Sequence, residues 1–275
     1  MAAGDLIQLT DLKAYLGVAS PNDDSTIGAL ITQISRAILN YINRSFVLPK
    51  NMVEAYDGRG RERLMLRNWP VGSVTSVYVD GQLIPAAPLP APSVTPGTGW
   101  LLEQSDDEPP GAMQSIYLVG YCFSKGRQNV VVSYRAGYEI LAEAASVPAS
   151  APFTVTFATG FGKWGSDSGV TYANGTPLVA VASNPAVGQY AVSSTGVYTF
   201  AAADAVAAVL LNYGYIPADL SQCAMVWAAD QYRYRERIGQ VSKSLGGQET
   251  ASYKIIDMPA FVTLNLRNFQ RVIAN

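Results

Sequence analysis

The sequence predicts an α+β fold with a helical core, β-hairpins and an inserted small β-sandwich-like domain. Two segments carry apolar residues at three- and four-residue steps, which indicates two long amphipathic helices. Between them, short runs of strand-forming residues alternate with Gly, Pro, Asn and Asp, which is typical of strands joined by turns. Part of this region, residues 139–215, is rich in Ala, Ser, Thr, Val and Gly and nearly free of Lys and Arg, which favours a separate β domain.

The charge balance limits the partners that the chain can attract. The 275 residues include 19 Lys and Arg and 21 Asp and Glu, so that the net charge is −2. Broad attraction to nucleic acid or to an anionic membrane comes from clustered basic residues, which this balance argues against. No apolar run approaches the ~20 residues that span a bilayer, and no signal-like pattern opens the chain. We therefore expect that the chain does not associate with a membrane and that it is cytosolic when made.

The residue types also argue against catalysis. The sequence contains no histidine, which removes the commonest general base and most catalytic zinc sites. Its two cysteines, Cys122 and Cys223, are interpreted as small buried hydrophobic residues in a reducing compartment. We therefore predict no catalytic, cofactor-binding or metal site and no cofactor.

The first of the two long helices is predicted near the amino terminus. A short helix from Thr10 to Tyr15, ended by Gly17, precedes it. The longer helix spans Ser25 to Asn43, and its apolar stripe includes Ile34 and Ile38.

Hairpin signals follow this helix. Asp57-Gly58 and Asp80-Gly81 are dipeptides that favour tight turns between strands. The runs SIYLVGYCF and NVVVSYRAGY flank a turn signal at residues 124–126 and predict a further hairpin.

A basic ribbon lies within this β-rich stretch. It consists of Arg59, Arg61, Arg63 and Arg67. Such a ribbon can contact DNA or an acidic partner surface, but no aromatic residue is interleaved among the four arginines. We interpret it as a solvated strand face near a subunit contact.

The strand-like runs of residues 139–215 are spaced like those of a small sandwich. Similar Gly-Tyr sequences flank the segment, at Gly137-Tyr138 and at Gly214-Tyr215, so the chain before it can lead directly into the chain after it. The sequence therefore predicts two domains, a core of residues 1–138 and 216–275 and an inserted β domain of residues 139–215.

The second long helix is predicted from Pro217 to Gly239. Its buried stripe includes Leu220, Trp227 and Tyr234, and we expect it to pack against the helix that carries Ile34 and Ile38. Basic residues crowd the last turn, where the helix dipole favours cations: Arg233, Arg235 and Arg237.

A short terminal helix closes the chain from Pro259. Phe269 and Ile273 fall on its apolar stripe, whereas Arg267 and Arg271 fall on another face. We expect these four residues and the three arginines of the long helix to contact subunits or partners, because arginine is enriched at interfaces.

The order of these elements resembles that of the head-tail connector, or adaptor, proteins of tailed bacteriophages. The matching strings are DLIQLTDLKAYLGV, DDSTIGALITQISRAILNYINRSF, EAYDGRGRERLMLRNWPVGSVTSVYVDG, NVVVSYRAGY and IPADLSQCAMVWAADQYRYRERIG, with a trailing SKSLGG. The segment 139–215 departs from the family pattern, because it replaces a short link.

The resemblance implies a structural virion protein at the neck, where head and tail meet. Such a protein forms a homo-oligomeric ring, commonly of twelve copies, that docks on the portal protein ring. The ring presents the next neck or tail ring, a stopper or tail terminator, and DNA passes through its lumen without specific binding. The predicted contact residues would then meet neighbouring subunits or the portal.

Two other classes of function remain open from the sequence. A carboxylate-based glycosidase needs two opposed acids in a cleft, and nothing in the sequence pairs them. A capsid decoration or surface-adhesion protein is the stronger alternative, because small β modules of this kind bind other surfaces.

Overall fold

The computed structural model describes residues 4–88, 97–103, 114–158, 160–235, 242–245, 249–252 and 258–271. These residues form two compact units. The helical unit comprises the described residues of Met1–Ser45 and Pro217–Arg271, and the β unit comprises those of Phe46–Ile216.

The described residues of the helical unit form four α-helices. They are α1 (Leu9–Leu16), α2 (Asp24–Tyr41), α3 (Ala218–Tyr234) and α4 (Ala260–Leu266), with single 3-10 turns at Pro21–Asp23 and Arg267–Phe269. Gly17 ends α1 in the left-handed conformation, at φ 71°, which glycine adopts without steric cost. Ser20 accepts a hydrogen bond from the Asn22 N–H at 3.2 Å and so fixes the start of the next turn.

Helix α3 packs against each of the other three helices. Helix α3 buries Leu220 and Cys223, and α2 buries Ile27 and Ile38, all four without measurable exposure. The predicted contact between the two long helices is therefore confirmed.

The predicted fold class is wrong, because the described residues are mostly β and are not organised around a helical core. The described residues form sixteen strands: β1 (Lys50–Gly58), β2 (Arg63–Met65), β3 (Val71–Val79), β4 (Gln82–Ile84), β5 (Gly99–Leu102), β6 (Ser115–Val119), β7 (Gly126–Ala136), β8 (Glu139–Ser146), β9 (Thr154–Thr156), β10 (Gly162–Tyr172), β11 (Val179–Ala180), β12 (Gln189–Val192), β13 (Val197–Phe200), β14 (Ala208–Pro217), β15 (Ser242–Leu245) and β16 (Glu249–Ser252). The helical pattern is conspicuous in the sequence because it is long. The short strands nevertheless bury more of the chain, including the cluster that contains Tyr56, Val77, Val132 and Tyr134.

The strands form five sheets. Their strand orders are β1, β7, β3, β4; β2, β6, β5; β10, β14, β8; β11, β12, β13, β9; and the hairpin of β15 and β16. The first two sheets use strands of residues 50–136, and the next two use strands of residues 139–217. Among the described residues, no strand of the first set pairs with a strand of the second.

One of the predicted hairpins is confirmed. Asp80 and Gly81, at φ 52° and 79°, form the turn between β3 and β4. Asp57 and Gly58 lie instead at the end of β1, where the Gly58 N–H donates to Oδ1 of Asn129 in β7 at 2.9 Å. The third predicted hairpin is also wrong, because β6 pairs with β2 and β5 whereas β7 pairs with β1 and β3.

Candidate functional site

The β unit carries a large surface cavity between the end of β1 and strand β2, which we call the arginine groove. It encloses about 490 Å³. Its lining residues are Tyr56, Asp57, Arg59, Arg61, Arg63, Leu64, Met65, Arg67, Ser115 and Phe123. Four arginines therefore line one cavity, although the net charge of the chain is −2.

Strand β2 and the residues before it bring the arginines to the groove. β2 pairs antiparallel with β6, so that Arg63 lies opposite Tyr117. Two residues earlier, Arg61 forms an isolated antiparallel bridge with Phe123, whose N–H donates to the Arg61 carbonyl at 2.9 Å. Because side chains alternate along a strand, Arg63 and Met65 share one face of β2. Both residues and Arg61 are exposed, which places positive charge at the rim of the groove.

Two buried aromatic residues line the groove beneath this rim. Tyr56 is 5% exposed and Phe123 is 1% exposed. The Arg67 guanidinium lies over the Tyr56 ring, 4.5 Å from its centroid, which is a cation–π contact. The Arg67 N–H also donates to the Tyr56 hydroxyl at 3.1 Å. Arg67 is thus fixed in orientation while its charge stays at the surface.

A carboxylate behind the groove holds Tyr56 in place. The hydroxyls of Tyr56 and Tyr134 both donate to Oε2 of Glu54, the latter at 2.6 Å. Asn68 Nδ2 donates to the other carboxylate oxygen at 3.1 Å. Burial, and then the hydrogen bond to Glu54, raise the pKa of Tyr134 to about 12 and raise the pKa of Tyr56 further. Both hydroxyls therefore remain protonated donors at neutral pH.

The charges of the groove are only partly balanced. Arg63 forms an ion pair with Glu103, which follows β5. The Asp57 carboxylate accepts the Gln128 N–H at 2.6 Å. Within the described part of the chain, neither Arg61 nor Arg67 has a carboxylate at ion-pair distance.

The structure shows the exposure of the arginine ribbon and the aromatic residues that lie beside it. All four of its arginines are exposed, as a solvated strand face requires. The aromatic residues that the ribbon itself lacks are supplied in space by Tyr56 and by Phe123, which lies far along the chain. The sequence feature that could have indicated this site is an arginine at every second position from 59 to 63, which matches the two-residue period of a strand.

The predicted contact arginines of the long helix are placed as follows. Arg233 is exposed. Arg235 is also exposed, but its guanidinium pairs with Asp23 and lies 4.0 Å from the centroid of the Tyr232 ring. Arg237 lies outside the described residues.

The predicted contacts of the terminal segment divide in a similar way. Arg267 is exposed, whereas Arg271 is half-buried and its N–H donates to the carbonyl that follows α2 at 2.8 Å. Phe269 is 8% exposed, and its carbonyl accepts from Arg44 Nε at 2.8 Å. Ile273 lies outside the described residues.

The five residues that the sequence assigned to the core lie on α2 and α3. Leu220 and Ile38 have no measurable exposure, Ile34 is 7% exposed and Trp227 is 9% exposed. Tyr234 is half-buried, and Tyr232 is the buried tyrosine of the same turn.

Neither a metal-binding cluster nor a membrane-spanning helix is found among the described residues. No three acidic or cysteine side chains in the described ranges lie close enough to hold a metal ion. No helix formed by those residues is both long enough and apolar enough to cross a membrane.

A groove that combines arginine, methionine and aromatic residues is typical of proteins that bind other macromolecules. The family model for head completion proteins matches residues 5–157, which is more than half of the chain. The chain therefore belongs to the head completion protein family. This family is one of structural proteins of phage-like particles, so the predicted resemblance to the connector proteins of tailed bacteriophages is confirmed.

The solved structures that resemble the chain include a component of a particle neck. It is a chain from the neck of an empty GTA particle computed with C6 symmetry. That chain is 14% identical to this one, the alignment covers 100% of this chain and 94% of the other, and the TM-score is 0.42. No curated protein matches the chain.

Proposed function

We propose that the protein is a head-tail connector, a structural component of the virion neck that docks on the portal and joins the DNA-filled head to the tail. Membership of the head completion protein family is the observation that supports this function. The protein would assemble as a homo-oligomeric ring, with twelve copies as the expected number, and the next neck or tail ring would bind to it. DNA would pass through the lumen without specific binding, and no catalysis, cofactor or metal is proposed.

The exposed part of the helical unit supports a role in docking. Helix α4 leaves Phe261 and Leu264 about half exposed, at 51% and 60%. Arg267, the residue that follows α4, is exposed as well. An arginine beside exposed apolar side chains is typical of residues that become buried at an interface. We therefore assign Arg267, together with Arg233 on α3, to contacts with a neighbouring subunit or with the portal.

Co-sedimentation with purified portal rings of the same phage tests this function. The full chain should sediment with the rings, and the Arg233→Glu/Arg267→Glu variant should sediment less. Arg36→Glu is the matched control, because Arg36 is an exposed arginine of α2 in the same unit. Binding to capsid shells in place of portal rings would favour a decoration or adhesion protein and would exclude the connector function.

A further inference from the structure

Strand β1 has an outer edge that no other described strand covers. It is the outermost strand of its sheet and pairs only with β7. The nine-residue strand follows β7 in one unbroken register from Lys50 to Tyr56. On its other side, no strand or isolated bridge meets residues 50–56 within the ranges that the structure describes. An uncovered edge of this length is a template for a further strand.

Hydrogen bonds at the two ends of β7 show which way each residue of the ladder bonds. Successive residues of an antiparallel strand bond to opposite sides. The Asn129 carbonyl accepts the N–H of Asp80, which follows β3, at 2.8 Å. The Tyr138 N–H donates to the carbonyl of Val47, in the segment before β1, at 2.9 Å. Odd-numbered residues of β7 therefore bond towards β3, and even-numbered residues bond towards β1.

This alternation places backbone groups of Val53 and Ala55 at the outer edge. Val132, an even-numbered residue, lies opposite Glu54, so Glu54 bonds to β7 and its two neighbours face away. Among the described residues, no other backbone group bonds to Val53 or Ala55. The Val53 side chain is 69% exposed. Neither a proline nor a bulge interrupts residues 51–55, although both are common means of blocking an edge.

The hairpin of β15 and β16 lacks the sheet that β1 could provide. Its strands pair with each other, from Ser242 opposite Ser252 to Leu245 opposite Glu249, and with no further strand of the described chain. A hairpin of two strands is at best marginally stable in water, and a third strand stabilises it. Each strand has four residues, which is enough to cover the β1 edge from residue 52 to residue 55.

The place of the hairpin in the chain favours a contact between two copies. Within one copy, the described hairpin and β1 are not paired. The hairpin follows α3 in the helical unit, whereas β1 belongs to the β unit. A contact between two different surfaces of identical chains continues from copy to copy and can close into a ring. Pairing of β1 with β1 would be symmetric and would end at two copies.

We propose that the β15–β16 hairpin of one copy adds to the β1 edge of the next copy, and that this contact links the subunits of the ring. The backbone groups of Val53 and Ala55 bond to the added strand. This inference rests on the proposed function, because it assigns the contact between subunits that a homo-oligomeric ring requires.

Two variants of the full chain, studied alone and mixed, test the proposal by sedimentation velocity. Val53→Pro removes an N–H that faces the edge and keeps the bonds to β7, so self-association should weaken about ten-fold or more. Replacing residues 242–252 by a Gly-Ser link of the same length should weaken it as much. Neither variant should assemble alone where the parent chain does. Their equimolar mixture should form a complex of two copies, because one variant supplies the hairpin and the other supplies the edge.

The recovery on mixing guards against misfolding, because damaged variants would not associate with each other. Val53→Thr is the matched control, since it keeps both the N–H and the branched side chain, and it should change self-association by less than about three-fold. Met52→Pro should lower the melting temperature more than Val53→Pro, because the Met52 N–H bonds to β7 opposite Tyr134. Equal melting temperatures for these two proline variants would overturn the assignment of the edge.

Three results would overturn the contact itself. One is a mixture of the two variants that stays monomeric, and another is assembly of Val53→Pro at the parent's concentration. The third is assembly of the chain without its hairpin, which would place β1 against β1 of a second copy. If the parent assembles only on portal rings, the same comparison is made on the rings by chemical cross-linking between copies.

The two proposals fail in different ways. If the parent sediments with portal rings and Val53→Pro forms the same cross-links between copies, the hairpin inference alone is wrong. If the mixed variants form the complex of two copies but the parent does not sediment with portal rings, the connector function is wrong.

Discussion

The guanidinium of Arg235 lies 3.2 Å from Oδ2 of Asp23, which joins the end of α3 to the turn before α2. The Tyr232 hydroxyl donates to the same carboxylate oxygen at 2.7 Å. Arg235 and Tyr232 are therefore held within their own unit. Arg233 is the other predicted contact arginine of this helix that the structure describes. It is exposed, and it forms no ion pair within the described ranges.

The Asp23 contacts predict an acid dependence of stability. The hydrogen bonds from Arg235, and then from Tyr232, lower the pKa of Asp23 below its ordinary value of 3.8. A lowered pKa stabilises the fold above the unfolded-state value, and the contribution is lost as pH falls through the folded-state value. Asp23→Asn should therefore reduce the melting temperature at neutral pH, and the difference from the parent should shrink below about pH 4.

Thermal unfolding of both proteins across this pH range measures the difference. Asp219→Asn is a control on α3, in the same unit, exposed and in the first turn of its helix. A difference for Asp23→Asn that persists unchanged at the lowest pH would show that the ionised carboxylate is not responsible.

Substitution by phenylalanine should affect the stability of the protein differently at two tyrosines of β14. Tyr213 and Tyr215 are both buried without measurable exposure. The Tyr213 hydroxyl donates to Glu143, whereas the Tyr215 hydroxyl has no hydrogen-bond partner among the described residues. Tyr213→Phe should cost about 1–2 kcal/mol, because it removes a hydrogen bond to a charged group. Tyr215→Phe should change stability by less than about 0.5 kcal/mol or increase it.

Each substitution keeps the aromatic ring, so the ring contacts to Phe157 and Tyr138 serve as an internal control. Urea melts of both variants give the comparison. Equal destabilisation by the two substitutions would mean that the Tyr215 hydroxyl also has a partner.

The sequence predicted the helices better than the sheets, and particular residues show why. The stripe containing Ile34 and Ile38 is a local pattern, and its helix α2 is found close to the predicted bounds. Strand β1 pairs with β7, in which Val132 lies opposite Glu54. Pairing between segments so far apart in the sequence cannot be predicted from the residues of either strand alone. The Asp57-Gly58 signal was overridden for the same reason, since Asn129 accepts the Gly58 N–H.

The arginine groove could be predicted in part. The four arginines were identified as one ribbon, and their exposure follows from their charge. The cavity itself depends on Phe123, which reaches the ribbon through tertiary structure and is not adjacent in the sequence. The sequence therefore shows the charge of the site but not its shape.

The buried tyrosines predict a loss of stability in alkali. Burial raises the pKa values of Tyr134 and Tyr215 to about 12 each. In the unfolded chain both ionise near pH 10, so the stabilisation is complete below pH 10 and is lost as pH rises towards 12. Unfolding should therefore begin between these values.

Tyrosinate absorbance and circular dichroism, followed together, test this order of events. The buried Tyr134 and Tyr215 should become ionised only as the circular dichroism signal of the fold is lost. If Tyr134 became ionised near pH 10 in a folded protein, the burial described for Tyr134 would be wrong.

The ends of the proposed inserted domain, residues 139–215, lie side by side, because Glu139 of β8 pairs with Gly214 of β14. The Tyr215 N–H donates to the Tyr138 carbonyl at 3.0 Å, and the two rings pack edge to face at 5.7 Å. In the ranges that the structure describes, the strands of this segment pair with one another and not with those of residues 50–136. Adjacent ends and self-contained sheets are what an inserted module requires.

The segment is nevertheless packed closely against the chain before it. A Cβ atom at Gly214 would lie 2.3 Å from Pro49 Cδ, and one at Gly165 would lie 2.2 Å from Leu48 Cδ2. Excision would therefore uncover Leu48 and Pro49, and it would remove the ring that packs on Tyr138.

Joining Tyr138 to Ile216 through a short Gly-Ser link should thus give a folded, soluble chain of reduced stability. The melting temperature should fall by about 5–10 °C, since a loss of a few kcal/mol corresponds to about 2–4 °C for each kcal/mol. The same link inserted between Tyr138 and Glu139, with the segment kept, is the control for the linker alone. Residues 139–217 expressed separately should show the circular dichroism of folded β structure. An insoluble excised chain, or an unfolded separate segment, would show that the two sets of sheets form one inseparable domain.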